Sequence, residues 1–406
     1  MAPARTFVIV GASLAGAKAA ETLRTEGFDG RVVLIGEETE RPYERPKLSK
    51  EYLRGDEPAA KLYVHDEGFY AAHDIELMAG TRVTSVDPGA HEVTLNDGSR
   101  MPYSRLLLST GAAPRRLQLP GADLPGVRYL RTMGDSNSLR AAITAAGRVV
   151  VIGSGWIGCE VAACARQLGA EVAVVAPDVV PLERVLGPEV GGVYRDLHAD
   201  QGVELHLSTQ IESLIGQGAV KGVRTTSGSV IEGDLVVVGV GASPRDELAR
   251  DGGLTTENGI VVDEFLCTSA PDIFAAGDVA STWNPMYNRR IRMEHWANAL
   301  NQGPAAARNM LGQHTAYDKL PYFYSDQYDL GMEYNGYASD WDRVVLRPGG
   351  SAREFLAFWL KGGHVLAGMN ANVWDQGDGI KALVRGRAPV DPDRLADPSV
   401  PLTDLA

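Results

Sequence analysis

The chain has 406 residues, of which 44% are hydrophobic and 22% charged, and 46 of them are glycines. This length exceeds one ordinary core and predicts roughly two to three domains, while the composition is typical of a globular protein rich in tight turns. The formal net charge of −13 argues against a protein that wraps nucleic acid through phosphate contacts.

The apolar segments and the cysteine content indicate the cellular compartment in which the protein is expected. Residues 6–10 form a strand-like segment soon after Met1 with no basic leader before a long apolar stretch, and no later apolar run reaches membrane-spanning length. The three cysteines are too few for a disulfide framework, and an odd number suits a reducing compartment. We therefore expect a cytoplasmic protein with no membrane partner.

A strand, a glycine turn, a helix and a second strand follow one another between residues 6 and 38. The turn is Gly11-Ala-Ser13-Leu-Ala-Gly16, here called the first glycine turn. Its outer glycines allow a sharp turn and close packing, and the helix N-terminus offers N–H groups to a pyrophosphate. Ser13 replaces the usual second glycine, so the motif alone leaves a structural turn open. Glu37, at the end of the second strand, is placed to accept hydrogen bonds from ribose hydroxyls and favours a nucleotide site.

A second unit of the same kind is more regular. The strand RVVVI leads into Gly153-Ser-Gly155-Trp-Ile-Gly158, here called the second glycine turn, and a helical segment and the strand EVAVV follow. All three glycines are present. Two such units in one chain imply two bound nucleotides.

The end of the strand that reads the second ribose lacks the expected acid, because Ala176 stands there. Asp178 is the candidate replacement. No arginine follows immediately to bind a 2′-phosphate, and Arg184 is the first candidate for that role or is an ordinary loop charge. The sequence favours NADH and leaves NADPH open.

Further segments join these units into one pattern. They are Arg41–Lys50 (RPYERPKLSK), Leu108–Ala112 (LSTGA), Phe274–Val279 (FAAGDV) and Pro321–Tyr328 (PYFYSDQY). With both glycine turns, the chain resembles the flavoproteins with two dinucleotide-binding domains, most closely the NADH-dependent ferredoxin reductases that serve bacterial cytochromes P450 and Rieske-type dioxygenases. The resemblance implies an α/β fold with two Rossmann-type FAD/NAD(P)-binding domains and a C-terminal α+β interface domain.

The resemblance also implies domain boundaries. A discontinuous FAD-binding domain would contain residues 1–112 and 244–318, an NAD(H)-binding domain 113–243, and the C-terminal α+β domain 319–406. In the last domain, residues 355–360 and 365–369 are predicted to form a hairpin. The acidic, proline-containing tail after Pro389 is expected to be a loosely held end.

Individual residues acquire roles from the same resemblance. Lys50 would lie at the flavin ring, where an ammonium stabilises the negative charge that develops when hydride arrives. Glu160 would orient the nicotinamide carboxamide and pair with Lys50; these two are the candidate catalytic residues. A solvated lysine and a helix N-terminal acid favoured by the dipole remain the alternatives.

The binding residues form two sets, and no metal site is predicted. The candidate FAD-binding residues are Gly11, Ser13, Leu14, Ala15, Gly16, Glu37, Arg45, Pro46, Lys50, Val83, Thr110, Gly111, Arg131, Gly277, Asp278 and Trp296. The candidate NAD-binding residues are Gly153, Gly155, Trp156, Ile157, Gly158, Glu160 and Gly241.

Several of these assignments have structural alternatives. Asp278 resembles the aspartate that binds the ribityl hydroxyls, and Val83 would contact adenine through its backbone unless it is ordinary strand core. Arg131 resembles a flavin-contacting arginine or is an exposed charge. Trp296 would stack near the ring, whereas its neighbour His295 is interpreted as structural rather than as an acid or base.

Cys159 and Cys164 have a C-x4-C spacing that resembles the redox pair of flavin disulfide reductases. Five residues along a helix turn the second thiol to a different face, so we do not interpret them as a pair. In that family the pair would lie after the first glycine turn, where the Arg41–Lys50 segment has no cysteine. A thiol-based catalyst is disfavoured.

The resulting hypothesis is hydride transfer from NADH to FAD, followed by single electrons to a [2Fe–2S] ferredoxin. Its alternatives are a rubredoxin reductase or other NAD(P)H:acceptor reductase and, in another class, a non-turnover flavin redox sensor resembling apoptosis-inducing factor. An acidic ferredoxin would need a local basic patch. Candidates, which are equally readable as solvated charges, are Arg289, Arg290, Arg292 and Arg308. The native ferredoxin, the terminal oxygenase and the oligomeric state stay open.

Overall fold

The computed structural model describes residues 5–405, and these divide into two compact units. The first unit contains the chain up to Glu44 together with Ala59–Ala113 and Ala242–Lys319. The second contains Arg45–Pro58, Pro114–Gly241 and the chain from Leu320 onward. The division into three domains stays a prediction.

A five-stranded parallel sheet forms the centre of the first unit. Its strands, in spatial order, are Ile273–Ala275, Arg105–Leu108, Thr6–Val10, Arg31–Gly36 and Ile75–Ala79. They are nearly continuous apolar runs, as expected for parallel strands covered on both faces. Helices Leu14–Thr25 and Trp296–Met310 pack together closely, since a Cβ on Gly303 would stand 2.3 Å from the backbone oxygen of Ala15.

Smaller elements surround this sheet. One three-stranded antiparallel sheet consists of Val83–Asp87, Glu92–Leu95 and Arg100–Pro102, and another three-stranded sheet of Ile260–Val262, Ala280–Asn284 and Arg289–Arg292. Two short strands, Ala112–Pro114 and Ala242–Pro244, pair where the chain leaves and re-enters the unit. The short helices are Ala59–Lys61, Phe69–Ala72 and Glu247–Asp251.

The second unit repeats the parallel arrangement. Its parallel strands, in spatial order, are Glu204–His206, Glu171–Val175, Arg148–Ile152, Leu235–Val238 and Val127–Arg128. A three-stranded antiparallel sheet of Ile211–Gln217, Ala219–Thr225 and Val230–Glu232 accompanies it. The helices of this part are Pro46–Ser49, Glu51–Arg54, Met133–Ala145, Trp156–Gln167 and Glu183–Asp200.

The second unit also contains a five-stranded antiparallel sheet, here called the C-terminal sheet. Its strands, in spatial order, are Tyr322–Gln327, Leu330–Gly336, His364–Ala371, Phe355–Lys361 and Arg343–Pro348, so the predicted hairpin is confirmed. Tyr334 and Trp359 on one face share a core with Leu186 and Tyr194 of the helix Glu183–Asp200. On the other face pack the short helices Gly377–Gly386, Pro392–Ala396 and Leu402–Asp404.

The tail after Pro389 is anchored, so the expectation of a loosely held end is wrong. Leu395 and Leu402 are buried in the core beneath the C-terminal sheet. Arg347 donates a hydrogen bond of 2.7 Å to the backbone oxygen of Val400. Composition suggested looseness, whereas the spaced leucines provide the contacts that hold the segment.

None of the helices between residues 5 and 405 combines the length and apolar character that a membrane crossing requires.

Candidate functional site

The first glycine turn connects the strand Thr6–Val10 to the helix Leu14–Thr25. Gly11 has φ of +120°, and a Cβ there would stand 2.1 Å from the backbone oxygen of Ser109. A Cβ on Gly16 would stand 2.1 Å from the backbone oxygen of Gly11. Ser13 is the N-cap but its side chain makes no capping hydrogen bond, so the geometry leaves the helix N-terminus to an anion.

The structure gathers further predicted FAD-binding residues around this turn. Gly277, with φ of +82°, is so close to the helix that a Cβ there would lie 3.2 Å from Cβ of Ala15. Its N–H donates to the side chain of Gln302 at 2.8 Å, which fixes the turn that carries Asp278. Directly after the neighbouring strand Arg105–Leu108, the hydroxyl of Ser109 donates to the backbone oxygen of Gly11 at 3.0 Å. Ser109 thus holds the first glycine turn in place, a role that the sequence did not indicate.

Glu37 and the Thr110-Gly111 segment share one partner, Arg245. The guanidinium of Arg245 lies 2.6 Å from the carboxylate of Glu37, and this hydrogen bond lowers the pKa of Glu37. The backbone of Arg245 accepts from the hydroxyl of Thr110 at 2.6 Å and donates to the oxygen of Gly111 at 2.9 Å. Glu37 therefore stays an ionised hydrogen-bond acceptor. Sequence reasoning missed Arg245.

Val83 is buried at the start of its strand.

His295 and Trp296 lie at the start of the helix Trp296–Met310, with His295 as N-cap. Burial lowers the pKa of His295 to about 4, although the charge of Asp278 opposes this shift. His295 is accordingly neutral around pH 7. This state agrees with a structural histidine.

The low pKa of His295 has a consequence for stability. An unfolded histidine has a pKa near 6.5, so below that pH the unfolded state binds a proton that the folded state resists. We expect the free energy of unfolding to fall by about 1–2 kcal/mol as the pH drops from 6.5 to 5. His295→Asn should flatten this part of the profile, measured as the thermal midpoint of the holoprotein. The same substitution at exposed His314 is the control, and an equal flattening there would contradict the prediction.

In the second unit, the glycines of the second glycine turn serve different purposes. Gly153 has φ of +102°, and a Cβ there would stand 2.4 Å from the oxygen of Gly239. A Cβ on Gly158 would stand 2.1 Å from the oxygen of Gly153. A Cβ on Gly155, in contrast, would meet no atom within 4 Å. The protein's own packing requires the outer two glycines, whereas the middle one leaves the backbone open to a ligand.

The other predicted NAD-binding residues lie at this turn and at a later one. Trp156 begins the helix Trp156–Gln167 and packs edge-on against Phe323, with ring centroids 5.1 Å apart, while the next side chain, Ile157, is exposed. Gly241 adopts φ of +100°, and its oxygen accepts from the N–H of Arg115 at 2.9 Å.

Asp178 lies beside the second glycine turn. Its carboxylate accepts a hydrogen bond of 3.4 Å from the hydroxyl of Ser154 and lies 3.2 Å from Nε of Arg184. Ala176, where the acid was expected, is buried. Two charges of opposite sign therefore stand together next to the turn.

Lys50 and Glu160 form a buried ion pair. Nζ of Lys50 lies 3.4 Å from both carboxylate oxygens of Glu160, and each side chain is 5% exposed. The hydroxyls of Ser49 and Ser325 donate to that carboxylate at 2.5 and 2.7 Å. The ring centroid of Tyr324 is 5.5 Å from the ammonium. The ammonium is thus buried beside a hydrogen-bonded carboxylate. The sequence did not indicate either serine.

The segment before Lys50 is fixed by Arg45 and Pro46. Pro46 begins the short helix Pro46–Ser49, where its missing N–H costs no hydrogen bond. Arg45 donates to the backbone oxygen of Arg131 at 2.7 Å. These predicted residues therefore lie together.

Comparison with known proteins gives consistent matches along the chain. The family model described as pyridine nucleotide-disulphide oxidoreductase matches residues 5–303, and the one described as reductase C-terminal matches residues 322–406. The chain belongs to the pyridine nucleotide-disulphide oxidoreductase family. It is an oxidoreductase, and the predicted fold class is confirmed.

Individual relatives cover almost the whole chain. Putidaredoxin reductase of Pseudomonas putida is 38% identical over 98% of this chain and 96% of its own. The anthranilate 1,2-dioxygenase system ferredoxin–NAD(+) reductase component of Burkholderia cepacia is 41% identical, with 98% of each chain covered. The reductase in the crystal structure of the covalent putidaredoxin reductase–putidaredoxin complex aligns with a TM-score of 0.94 at 37% identity, over 99% of this chain and 98% of that one.

The two cysteines of the C-x4-C spacing are free, like Cys267. The thiol of Cys159 lies 3.4 Å from the oxygen of Ser154, whereas that of Cys164 lies 3.0 Å from the oxygen of Ser49. Burial raises the pKa of both, that of Cys164 to about 12. Neither thiol has the environment of a redox catalyst in this oxidoreductase.

Arg290, Arg292 and Arg308, which were considered for a basic patch, have local partners. Arg308 lies 2.8 Å from Glu26, Arg292 lies 2.5 Å from Glu294, and Arg290 donates to the oxygen of Val262 at 2.5 Å. Arg292 and Arg308 are therefore paired with carboxylates, and Arg290 binds the backbone. The docking patch of this oxidoreductase stays a prediction.

Proposed function

We propose that this protein is an NADH-dependent ferredoxin reductase that supplies single electrons to a [2Fe–2S] ferredoxin feeding a cytochrome P450 or Rieske oxygenase. FAD and NADH are the cofactors that this family membership implies. The observation that carries the proposal is the end-to-end similarity to reductase components, at 41% identity in one case. The cytoplasmic location expected from the sequence belongs to the same proposal.

The first unit supplies residues suited to hold FAD. The N–H groups at the first glycine turn would bind its pyrophosphate, and Glu37 would bind the adenosine ribose. Asp278 would fix the ribityl chain. FAD, when bound, would accept two electrons together as a hydride and would release them one at a time to an iron–sulfur protein.

The second unit supplies residues suited to hold NADH. The open backbone at Gly155 would let the pyrophosphate approach the helix Trp156–Gln167, and Glu160 would orient the nicotinamide carboxamide. Lys50, buried and paired, would stabilise the negative charge that the flavin gains. Holding the nicotinamide ring in a fixed orientation would accelerate hydride transfer, because the translational and rotational freedom of the reacting groups is already restricted before the reaction.

In this proposal, Asp178 gives the protein a preference for NADH over NADPH. A carboxylate accepts from a ribose 2′-hydroxyl and repels a 2′-phosphate, whereas Arg184 beside it would attract that phosphate. We expect Asp178→Ala to lower kcat/KM for NADH about tenfold and to raise it for NADPH. The measurement is the ratio of kcat/KM for the two nucleotides, with dissociation constants of NAD+ and NADP+ as a second readout.

Asp234 is a matched control for that substitution. It is a carboxylate of the same unit, paired with Lys221 at 3.1 Å and away from the second glycine turn. Asp234→Ala should leave the nucleotide ratio at the wild-type value. A ratio unaltered by Asp178→Ala would show that another residue reads the ribose.

The function is tested by following NADH-dependent reduction of a [2Fe–2S] ferredoxin by the purified holoprotein. Parallel assays contain rubredoxin or no carrier. Rapid turnover with ferredoxin supports the proposal, and faster turnover with rubredoxin would replace it by a rubredoxin reductase. Flavin reduction that stalls with every carrier would instead favour a redox sensor.

A further inference from the structure

A chain of buried hydrogen bonds leads from His198 to Glu160 within the second unit. Nε2 of His198 is 2.9 Å from Oε1 of Gln327, and Nε2 of Gln327 is 3.4 Å from the hydroxyl of Ser325. That hydroxyl is 2.7 Å from Oε1 of Glu160. All four side chains are buried, so water does not compete for these bonds.

The donor and acceptor of every hydrogen bond in this series follow from the ionised carboxylate of Glu160 at one end. An ionised carboxylate only accepts, so the single hydroxyl proton of Ser325 is donated to Glu160. Ser325 must then accept from the amide nitrogen of Gln327, whose oxygen accepts from N–H at Nε2 of His198. His198 can donate from Nε2 in either protonation state, and its burial, which lowers its pKa, favours the neutral form that carries the proton at Nε2.

The strand Tyr322–Gln327 explains how the chain forms. Ser325 and Gln327 are two residues apart, so both side chains point to the same face of the C-terminal sheet. Residues from this sheet thereby reach the helix Trp156–Gln167, which carries Glu160. This strand therefore contributes one of the hydrogen-bond donors to the carboxylate of the Lys50–Glu160 pair.

The hydroxyls of Ser49 and Ser325 bind different oxygens of Glu160. Ser49 donates to Oε2 and Ser325 to Oε1, so rotation of the carboxylate would break both bonds. Lys50 faces the same carboxylate at an equal distance of 3.4 Å from each oxygen. The plane of the carboxylate therefore decides where the ammonium stands.

We propose that Ser325, supported by Gln327 and His198, is a positioning residue that holds the Glu160 carboxylate in the plane that aims the Lys50 ammonium. The proposal rests on the proposed function, in which Lys50 stabilises charge during hydride transfer. Ser325 acts at the reacting end of the site, whereas the second glycine turn would provide most of the binding of NADH. Loss of the hydroxyl should therefore slow the reaction without weakening nucleotide binding.

The test uses anaerobic stopped-flow reduction of the bound flavin at saturating NADH, with the dissociation constant of NAD+ measured by calorimetry. Ser325→Ala should lower the limiting rate about tenfold, the size typical for loss of a group that orients a functional residue. The dissociation constant of NAD+ should change less than about twofold. Ser325→Thr, which keeps the hydroxyl, should recover most of the rate.

Two further variants separate positioning from structure. Gln327→Leu interrupts the chain without touching Glu160 and should lower the limiting rate in the same direction by a smaller factor. Thr225→Val removes another buried hydroxyl of this unit, one that donates to the backbone oxygen of Ser229 at 3.2 Å, and should leave the rate unchanged.

A wild-type limiting rate in Ser325→Ala would overturn the inference. So would a parallel loss of NAD+ binding and thermal midpoint, because that result describes a structural defect. Flavin reduction does not need a ferredoxin. A failure of ferredoxin to accept electrons would therefore contradict the proposed function while the result for Ser325 still stands.

Discussion

Replacing Lys50 by methionine is expected to lower the free energy of unfolding by about 3 kcal/mol, because it leaves the buried carboxylate of Glu160 without a counter-charge. The two serine hydroxyls compensate only part of that charge. The same substitution should lower the limiting rate of flavin reduction by about two to three orders of magnitude, as expected when a charge-stabilising group is lost. Denaturant unfolding and stopped-flow reduction of the holoprotein measure the two effects.

The double variant Lys50→Met/Glu160→Gln distinguishes these effects. Removing both charges should restore most of the lost stability, since a neutral pair needs no compensation, while the rate stays low. Lys221→Met is the matched control, because Lys221 forms an exposed pair with Asp234 at 3.1 Å and should cost less than about 1 kcal/mol. A rate restored by the double variant would remove Lys50 from the mechanism.

Gly155→Ala is expected to yield a stable protein that binds NADH about tenfold or more weakly. Gly155 has φ of −78°, which any residue adopts, and a Cβ there meets no protein atom within 4 Å. A methyl group would instead occupy space that the pyrophosphate needs. The measurements are the apparent dissociation constant of NADH and the thermal midpoint.

Gly153→Ala should instead destabilise the protein. Its φ of +102° and the oxygen of Gly239 at 2.4 Å from a Cβ make any side chain strained. We expect a loss of stability of about 1–3 kcal/mol. If Gly155→Ala bound NADH normally, the second glycine turn would not be the pyrophosphate site.

Local signals explain what the sequence could predict. Each glycine turn lies within one strand–turn–helix segment, so a few neighbouring residues define its geometry. Lys50 and Glu160 are 110 positions apart, and only the family resemblance suggested their pairing. The structure brings them together, whereas their catalytic roles remain proposals.

The partners of these residues could not be predicted in the same way. Ser325 is 165 positions from Glu160, and Arg245 is 208 positions from Glu37. A serine or an arginine has many uses, and no local pattern distinguishes one that completes a distant site. The anchored tail was missed for a related reason, since isolated leucines show no periodicity before the sheet they cover is known.

Because its thiol contacts the backbone of Ser49, Cys164 can report local opening of the segment that carries Lys50. Only a thiolate reacts with alkylating reagents, and burial raises the pKa of Cys164 to about 12. Modification of this thiol therefore has to wait for the segment carrying Lys50 to move away from the helix Trp156–Gln167. The alkylation rate of Cys164, measured separately from those of Cys159 and Cys267, therefore reports how often the segment carrying Lys50 separates from this helix, without any engineered label.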